Sequence, residues 1–204
     1  MDYFTALFVS SQPSAVEEVV QQMDSVVTLD MNEDLLRPFS QDEVKHAFFQ
    51  MHPSKAPGPD GMIALFFQNF WHIVGDDVST AILDFLNSGN MLGSINFTHI
   101  VLIPKVKAPE YITQFRPISL CNVIYKIISK VLVNRMKKVF LRVISNNQSA
   151  FVPGRMITDN VIIAFETLHH LKNLRGGNNA QMAAKLDMSK AYDRVEWDYL
   201  RTVG

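Results

Sequence analysis

A carboxylate at the end of a strand can hold a divalent cation, and an aromatic five residues later can roof the pocket beside it. Asp187 and Tyr192 have that spacing. With a period of two, Ala183, Lys185 and Asp187 face one way and Ala184, Leu186 and Met188 the other. The second set suits a core. Asp187 is then expected on the open face of a strand end, where a carboxylate reaches a cation without being buried unpaired. The same spacing also permits a plain turn or capping aspartate. Ser189, Lys190 and Ala191 suit a tight strand-to-helix turn, leaving Tyr192 as the roof of a pocket or as a packing aromatic at the foot of the next helix.

Cations form the second chemical feature. Between Lys105 and Arg155 the bases are Lys105, Lys107, Arg116, Lys126, Lys130, Arg135, Lys137, Lys138, Arg142 and Arg155, and the only acid is Glu110. Such a surplus is the footprint of a phosphate-binding surface, with a solvated helix face as the plainer alternative. Met1 to Asp60 is acidic by contrast, with ten carboxylates against Arg37, Lys45 and Lys55. The formal net charge of -1 over 204 residues therefore hides an uneven distribution. One cysteine, Cys121, excludes an internal disulfide and a cysteine-rich zinc site. No apolar run has the length of a membrane span and the N-terminus lacks a basic signal start, so an intracellular chain without a membrane partner is expected.

The elements that must position these residues are punctuated by Pro and Gly. Residues 1–39 are a weakly patterned extension, with a short helix expected from Ala15 to Met23. Ser40 and Glu43 form a capping-box pattern that opens a helix from Gln41 to Met51, with Val44, Ala47, Phe48 and Met51 inward. KAPGPDG, Lys55 to Gly61, is a shaped loop. Ile63 to Ser88 reads as one helix, with Leu65, Phe66, Phe70, Ile73 and Val74 on its apolar side and Gly89 as its stop. Thr98–Ile103 and a run near Ile118 suggest a hairpin-like pair. Asn122 to Ile144 is the longest helix, with Ile124, Ile127, Ile128, Val131, Leu132, Met136, Val139, Phe140 and Val143 inward. A helix from Asp159 to Asn173, capped by Thr158, follows the turn at Pro153-Gly154. A turn at Arg175–Asn179, a strand from Gln181 to Met188 and a helix from Val195 to Arg201 complete the chain.

Five segments occur in an order that resembles one family. KAPGPDG (Lys55–Gly61), HIVLIPKV (His99–Val106), FRPISL (Phe115–Leu120), QSAFVPGR (Gln148–Arg155) and KLDMSKAYDRVEW (Lys185–Trp197) resemble, in order and approximate spacing, the reverse transcriptases of non-LTR retrotransposons of the LINE type, especially plant forms. The likeness runs from about Ser40 to the C-terminus. It implies an α+β fold: the helix-rich fingers and partial palm of a right-hand polymerase, occupying residues 40–204.

The resemblance also implies roles. Asp187 is the first catalytic carboxylate and, with the Met188 carbonyl, a ligand of Mg²⁺; in the complete domain two such ions drive nucleotidyl transfer. Tyr192 crowds the sugar 2' position. Arg116 grips the triphosphate of an incoming deoxynucleotide, with Lys105 as its partner and Lys107 as a rival. Lys55, Gln148 and Arg155 lie near the RNA template or DNA primer. The family's second motif, an aspartate pair on a hairpin, lies downstream of Asp187 and is not in these 204 residues. Activity is therefore expected to require a downstream palm and thumb. Two other readings remain open: a catalytically dead remnant that binds RNA or DNA through its basic helices, and a helical interaction protein.

Overall fold

In a computed structural model, residues 2–173, 182–188 and 190–203 are described. They group into two compact units, residues 27–140 and residues 1–26 with 141–204.

The 27–140 unit contains α3 (Leu29–Leu36), α4 (Gln41–Phe49), α5 (Ala64–Asn69), α6 (Trp71–Ser88), α7 (Gly93–Asn96), β1 (His99–Pro104), β2 (Phe115–Leu120) and most of α8 (Val123–Val143). Helix α4 starts as its sequence requires. The Ser40 hydroxyl accepts from the Glu43 N–H at 3.3 Å, and the Glu43 carboxylate accepts from the Ser40 N–H at 3.0 Å. Its buried face, Val44, Ala47 and Phe48, joins Phe67, Val78, Ile82, Val123, Ile127, Ile128 and Val131 in one core. The Phe48 ring lies 4.7 Å from Trp71, and Trp71 packs over Gly75.

The single helix expected from Ile63 to Ser88 is two helices. Phe70, at φ −105° and ψ 20°, ends α5 and begins α6. Its N–H donates to the Phe66 carbonyl, and its own carbonyl accepts from Ile73 and Val74, so Phe70 keeps both its backbone groups paired at the break. The break turns the buried face. Phe67, Val78 and Ile82 point inward, while Leu65, Phe66, Phe70 and Ile73 are exposed. Gly89 does stop α6, in the left-handed conformation at φ 74°.

Strands β1 and β2 pair antiparallel, with Ile103 opposite Arg116 and His99 opposite Leu120. Ile100, Val101, Leu102 and Ile103 are all exposed on this two-stranded sheet. Helix α8 buries Ile127, Ile128, Val131 and Val139 as its periodicity predicts, and it also buries Val123 and Arg135. Leu132, Met136 and Val143, expected inward, are exposed. No helix among the described residues is long and apolar enough to cross a membrane.

The other unit contains α1 (Asp2–Phe8), α2 (Val16–Val20), α9 (Ile157–Asn173) and α10 (Trp197–Val203). Helix α9 begins at Ile157, and the Asp159 carboxylate, in place of the expected Thr158 cap, accepts from the Met156 N–H. None of its residues is buried. Residues 182–188 are not a strand: they have no regular structure, and Leu186 and Met188 are 92% and 74% exposed. A strand exists by pairing its N–H and C=O groups with a neighbour, and none of the described residues supplies one here. The turn at 175–179 and the start of the expected strand at Gln181 lie outside the described residues.

Candidate functional site

Lys105 and Arg116 meet at one end of the β1–β2 hairpin. Arg116 sits opposite Ile103, and one step past the ladder the Lys105 N–H donates to the Gln114 carbonyl at 2.7 Å, so the two cations are diagonal neighbours. Lys105 Nζ donates to the Thr113 carbonyl at 3.0 Å, leaving further N–H donors of the ammonium for another acceptor. Arg116 is exposed and makes no ion pair or side-chain hydrogen bond among the described residues. The hairpin therefore presents a planar fork and a point charge together, a combination suited to phosphate oxygens.

The KAPGPDG loop is held from behind by α8. Lys126 Nζ donates to the Ala56 carbonyl at 2.6 Å. Asn122, 6% exposed, donates through Nδ2 to the Ser94 and Ile95 carbonyls at 3.1 and 3.4 Å, and its Oδ1 accepts from the Asp60 N–H at 3.5 Å. Gly58 presses against the same residue: a Cβ there would lie 2.3 Å from Asn122 Oδ1 and 2.5 Å from its backbone nitrogen. Only a residue without a side chain fits. Lys55, at the mouth of the loop, is exposed.

Arg135 accounts for another part of the basic surplus. Its guanidinium forms a two-pronged pair with Glu43, Nε to Oε1 and Nη2 to Oε2, both at 2.9 Å. Its other N–H groups donate to the carbonyls of Leu35 (2.9 Å), Arg37 (2.5 Å) and Pro38 (2.8 Å). The plane rests on Phe39, 3.5 Å from the ring centroid. All five donors are satisfied, so the charge is held inside without an orphaned group. The Glu43 carboxyl is drawn from 4.5 to about 2, first by its hydrogen bond to Arg135 and further by the Ser40 N–H and Arg37, against the opposing pull of burial. Lys126 and Arg135 thus serve the scaffold, not an open phosphate surface. For Arg135 the sequence signal was a charged residue on the apolar side of the helix, four positions after Val131, which the cation count obscured.

In the unit of residues 1–26 and 141–204, Arg155 closes the QSAFVPGR loop on itself. Nη1 donates to the Ser145 and Gln148 carbonyls at 2.5 and 2.6 Å, and Nη2 to Asn146 Oδ1 at 3.2 Å. Gln148 Nε2 donates to the Ala150 carbonyl at 3.1 Å. Beneath them Val152 is buried, and the buried Ser149 hydroxyl donates to Asn160 Oδ1 at 3.0 Å. Asp187, Met188 and Tyr192 are exposed, Tyr192 at 92%.

A pair of Mg²⁺ ions needs several oxygen donors in near-octahedral array. Among the described residues no three His, Cys, Asp or Glu side chains converge on a point, and Asp187 with the Met188 carbonyl does not make that donor set. The residues present do not fit a two-metal centre by themselves.

Comparison with known proteins agrees on the kind of domain. Residues 103–202 match a family described as "Reverse transcriptase (RNA-dependent DNA polymerase)". The chain is 36% identical over 188 residues to the "Transposon TX1 uncharacterized 149 kDa protein" of Xenopus laevis, covering 92% of this chain and 14% of that protein. It is 26% identical to a "Retrovirus-related Pol polyprotein from type-1 retrotransposable element R2" of Nasonia vitripennis, over 80% of this chain and 15% of that one. It is also 26% identical to the corresponding polyprotein of the type-2 element R2DM of Drosophila melanogaster, over 99% of this chain and 18% of the other. The chain thus spans less than a fifth of the length of each of these relatives.

Proposed function

The chain belongs to the reverse transcriptase family, and from that premise we propose that it is the front portion of the RNA-directed DNA polymerase of a non-LTR retrotransposon. The family match over residues 103–202 carries this reading. The exposed Arg116–Lys105 pair supports it from the side of chemistry, because an unpaired guanidinium beside an ammonium is the arrangement that receives a triphosphate.

On this reading Arg116 and Lys105 hold the deoxynucleotide phosphates, and Tyr192 abuts the sugar. Lys55 lies along template RNA. Gln148 and Arg155 act chiefly by shaping the 145–155 loop near template or primer, since most of their polar groups are engaged there. Asp187 supplies one carboxylate toward Mg²⁺ in a domain completed by downstream palm residues, and Met188 lends its carbonyl.

The test is primer extension on an RNA template with the chain joined to a downstream palm and thumb. Extension by the parent and its abolition by Asp187→Ala are expected; unchanged extension in the variant would overturn the role of Asp187. Arg116→Ala should raise the deoxynucleotide KM by about tenfold or more, through loss of a charge-assisted contact. If the completed parent binds primed RNA with a steep salt dependence yet extends nothing, the nucleic-acid-binding remnant is the correct reading.

A further inference from the structure

Residues Tyr3 to Ser11 have no part in the reading above, yet they are fastened to the segment that carries Tyr192. The Glu196 carboxylate accepts from the Ser10 hydroxyl at 2.6 Å, the Ser11 hydroxyl at 2.7 Å and the Ser11 N–H at 2.9 Å. Lys190 Nζ donates to the Tyr3 hydroxyl and lies over the rings of Tyr3 and Phe4, 4.3 and 5.6 Å from their centroids. Tyr192 lies between these two anchors in the chain. Lys190 itself adopts φ 55° and Gln12, just past Ser11, φ 51°. A non-glycine residue in the left-handed region persists where its surroundings over-determine it, and two of the three such residues among those described, the third being Phe151, border this contact. Between the two segments runs a cleft of roughly 1040 Å³, lined by Tyr3, Leu7, Ser10, Tyr192, Glu196 and Trp197 among others.

We propose that Tyr3–Ser11 is an intramolecular strap, gripped by Glu196 and Lys190, that fixes the turn presenting Tyr192. Glu196 and Lys190 are positioning residues; they act on the substrate sugar through the placement of Tyr192. The inference rests on the reverse transcriptase reading only for what Tyr192 then does, and the docking stands or falls without it.

Two measurements separate these levels. On the 204-residue chain, hydrogen exchange of residues 190–200 is compared for the parent, Glu196→Ala, Ser10→Ala with Ser11→Ala, and Ser10→Thr with Ser11→Thr. Losing hydrogen bonds to a carboxylate should speed exchange there by about tenfold, with the threonine pair, which keeps both hydroxyls, near the parent. Exchange unchanged in both alanine variants overturns the strap, whatever the activity. In the completed polymerase, Glu196→Ala should lower the preference for deoxy- over ribonucleotides several-fold through KM, with kcat for deoxynucleotides near the parent's. Intact discrimination in an active enzyme whose exchange is accelerated overturns the positioning role. A completed parent that is inactive refutes the function reading instead, and leaves the exchange result to decide the strap.

Discussion

Residues 27–140 and the Asp187-bearing region solve the problem of holding functional side chains in opposite ways. In the first, the Lys55 loop is tied to α8 beside a core that runs from Phe48 and Ile82 to Ile127 and an internal arginine with all five donors satisfied, while the exposed Arg116–Lys105 pair is set by the ladder of its own hairpin. In the second, α9 buries nothing, Leu186 is almost fully exposed, and order comes from polar ties such as Arg155 to its own loop. Two cations on neighbouring strands need only the ladder that sets their register. A metal centre needs carboxylates brought together from several strands, so a single-carboxylate region cannot be self-sufficient.

The largest test of this contrast removes the scaffold's internal charge. Arg135→Ala takes the two-pronged donor from Glu43, which keeps Arg37 and the Ser40 N–H, and strands three carbonyls, Leu35, Arg37 and Pro38, in a half-buried site. About 3–5 kcal/mol of stability should be lost in urea unfolding, the cost of breaking a buried pair from one side. A loss below about 1 kcal/mol would mean that the clamp is incidental to the core.

Acid tests the same clamp from the carboxylate side. The folded-state pKa of Glu43, about 2, lies below its ordinary 4.5, so the group contributes stability that is present above pH 4.5 and lost as pH falls from there toward 2. Roughly 3 kcal/mol should fade across that window, since each pKa unit is worth about 1.4 kcal/mol. Glu43→Gln should flatten that part of the stability profile, and a profile as steep as the parent's would assign the acid sensitivity to other carboxylates.

A smaller effect is expected at the loop. Gly58→Ala places a methyl against the backbone and side chain of Asn122, and neither can retreat while Asn122 also holds Ser94 and Ile95. A loss of about 1–3 kcal/mol follows from overpacking. Asn122→Ala in the same background should recover part of it by removing Oδ1 from the clash. No recovery would point to the backbone contact alone.

These cases show what could be read from the sequence and what could not. Local signals were legible: the capping box at Ser40 and Glu43, the Gly89 stop and the unstructured KAPGPDG loop depend on neighbouring residues only. The break at Phe70 was not, because no proline or glycine marks it and tertiary packing of Phe67 and Trp71 decides it. Lys126 and Arg135 were counted as surface cations because their partners, Ala56 and Glu43, lie 70 and 92 residues away. The strand at Asp187 was drawn from alternation alone, and alternation gives neither burial nor the partner strand that would make it real. Asp187, Tyr192, Arg116 and Lys105 came from motif order, which carries the reverse transcriptase family; spacing alone left each with a plainer role.

The smallest predicted effect sharpens the comparison most. Asp187→Ala and Leu186→Ser should each leave the stability of the 204-residue chain within about 0.5 kcal/mol, because both side chains are exposed and neither makes a hydrogen bond or ion pair with the described residues. Ordinarily a Leu→Ser change in a strand facing a core costs several times that. Amides of residues 182–188 should accordingly exchange with little protection in the isolated chain, while those of α4 and α8 persist. When the palm is completed, Leu186→Ser should become costly and the amides protected, because a neighbouring strand then takes up their N–H groups. A large cost already in the 204-residue chain would mean that the Asp187 segment is braced without the palm, and the two regions would no longer differ in kind.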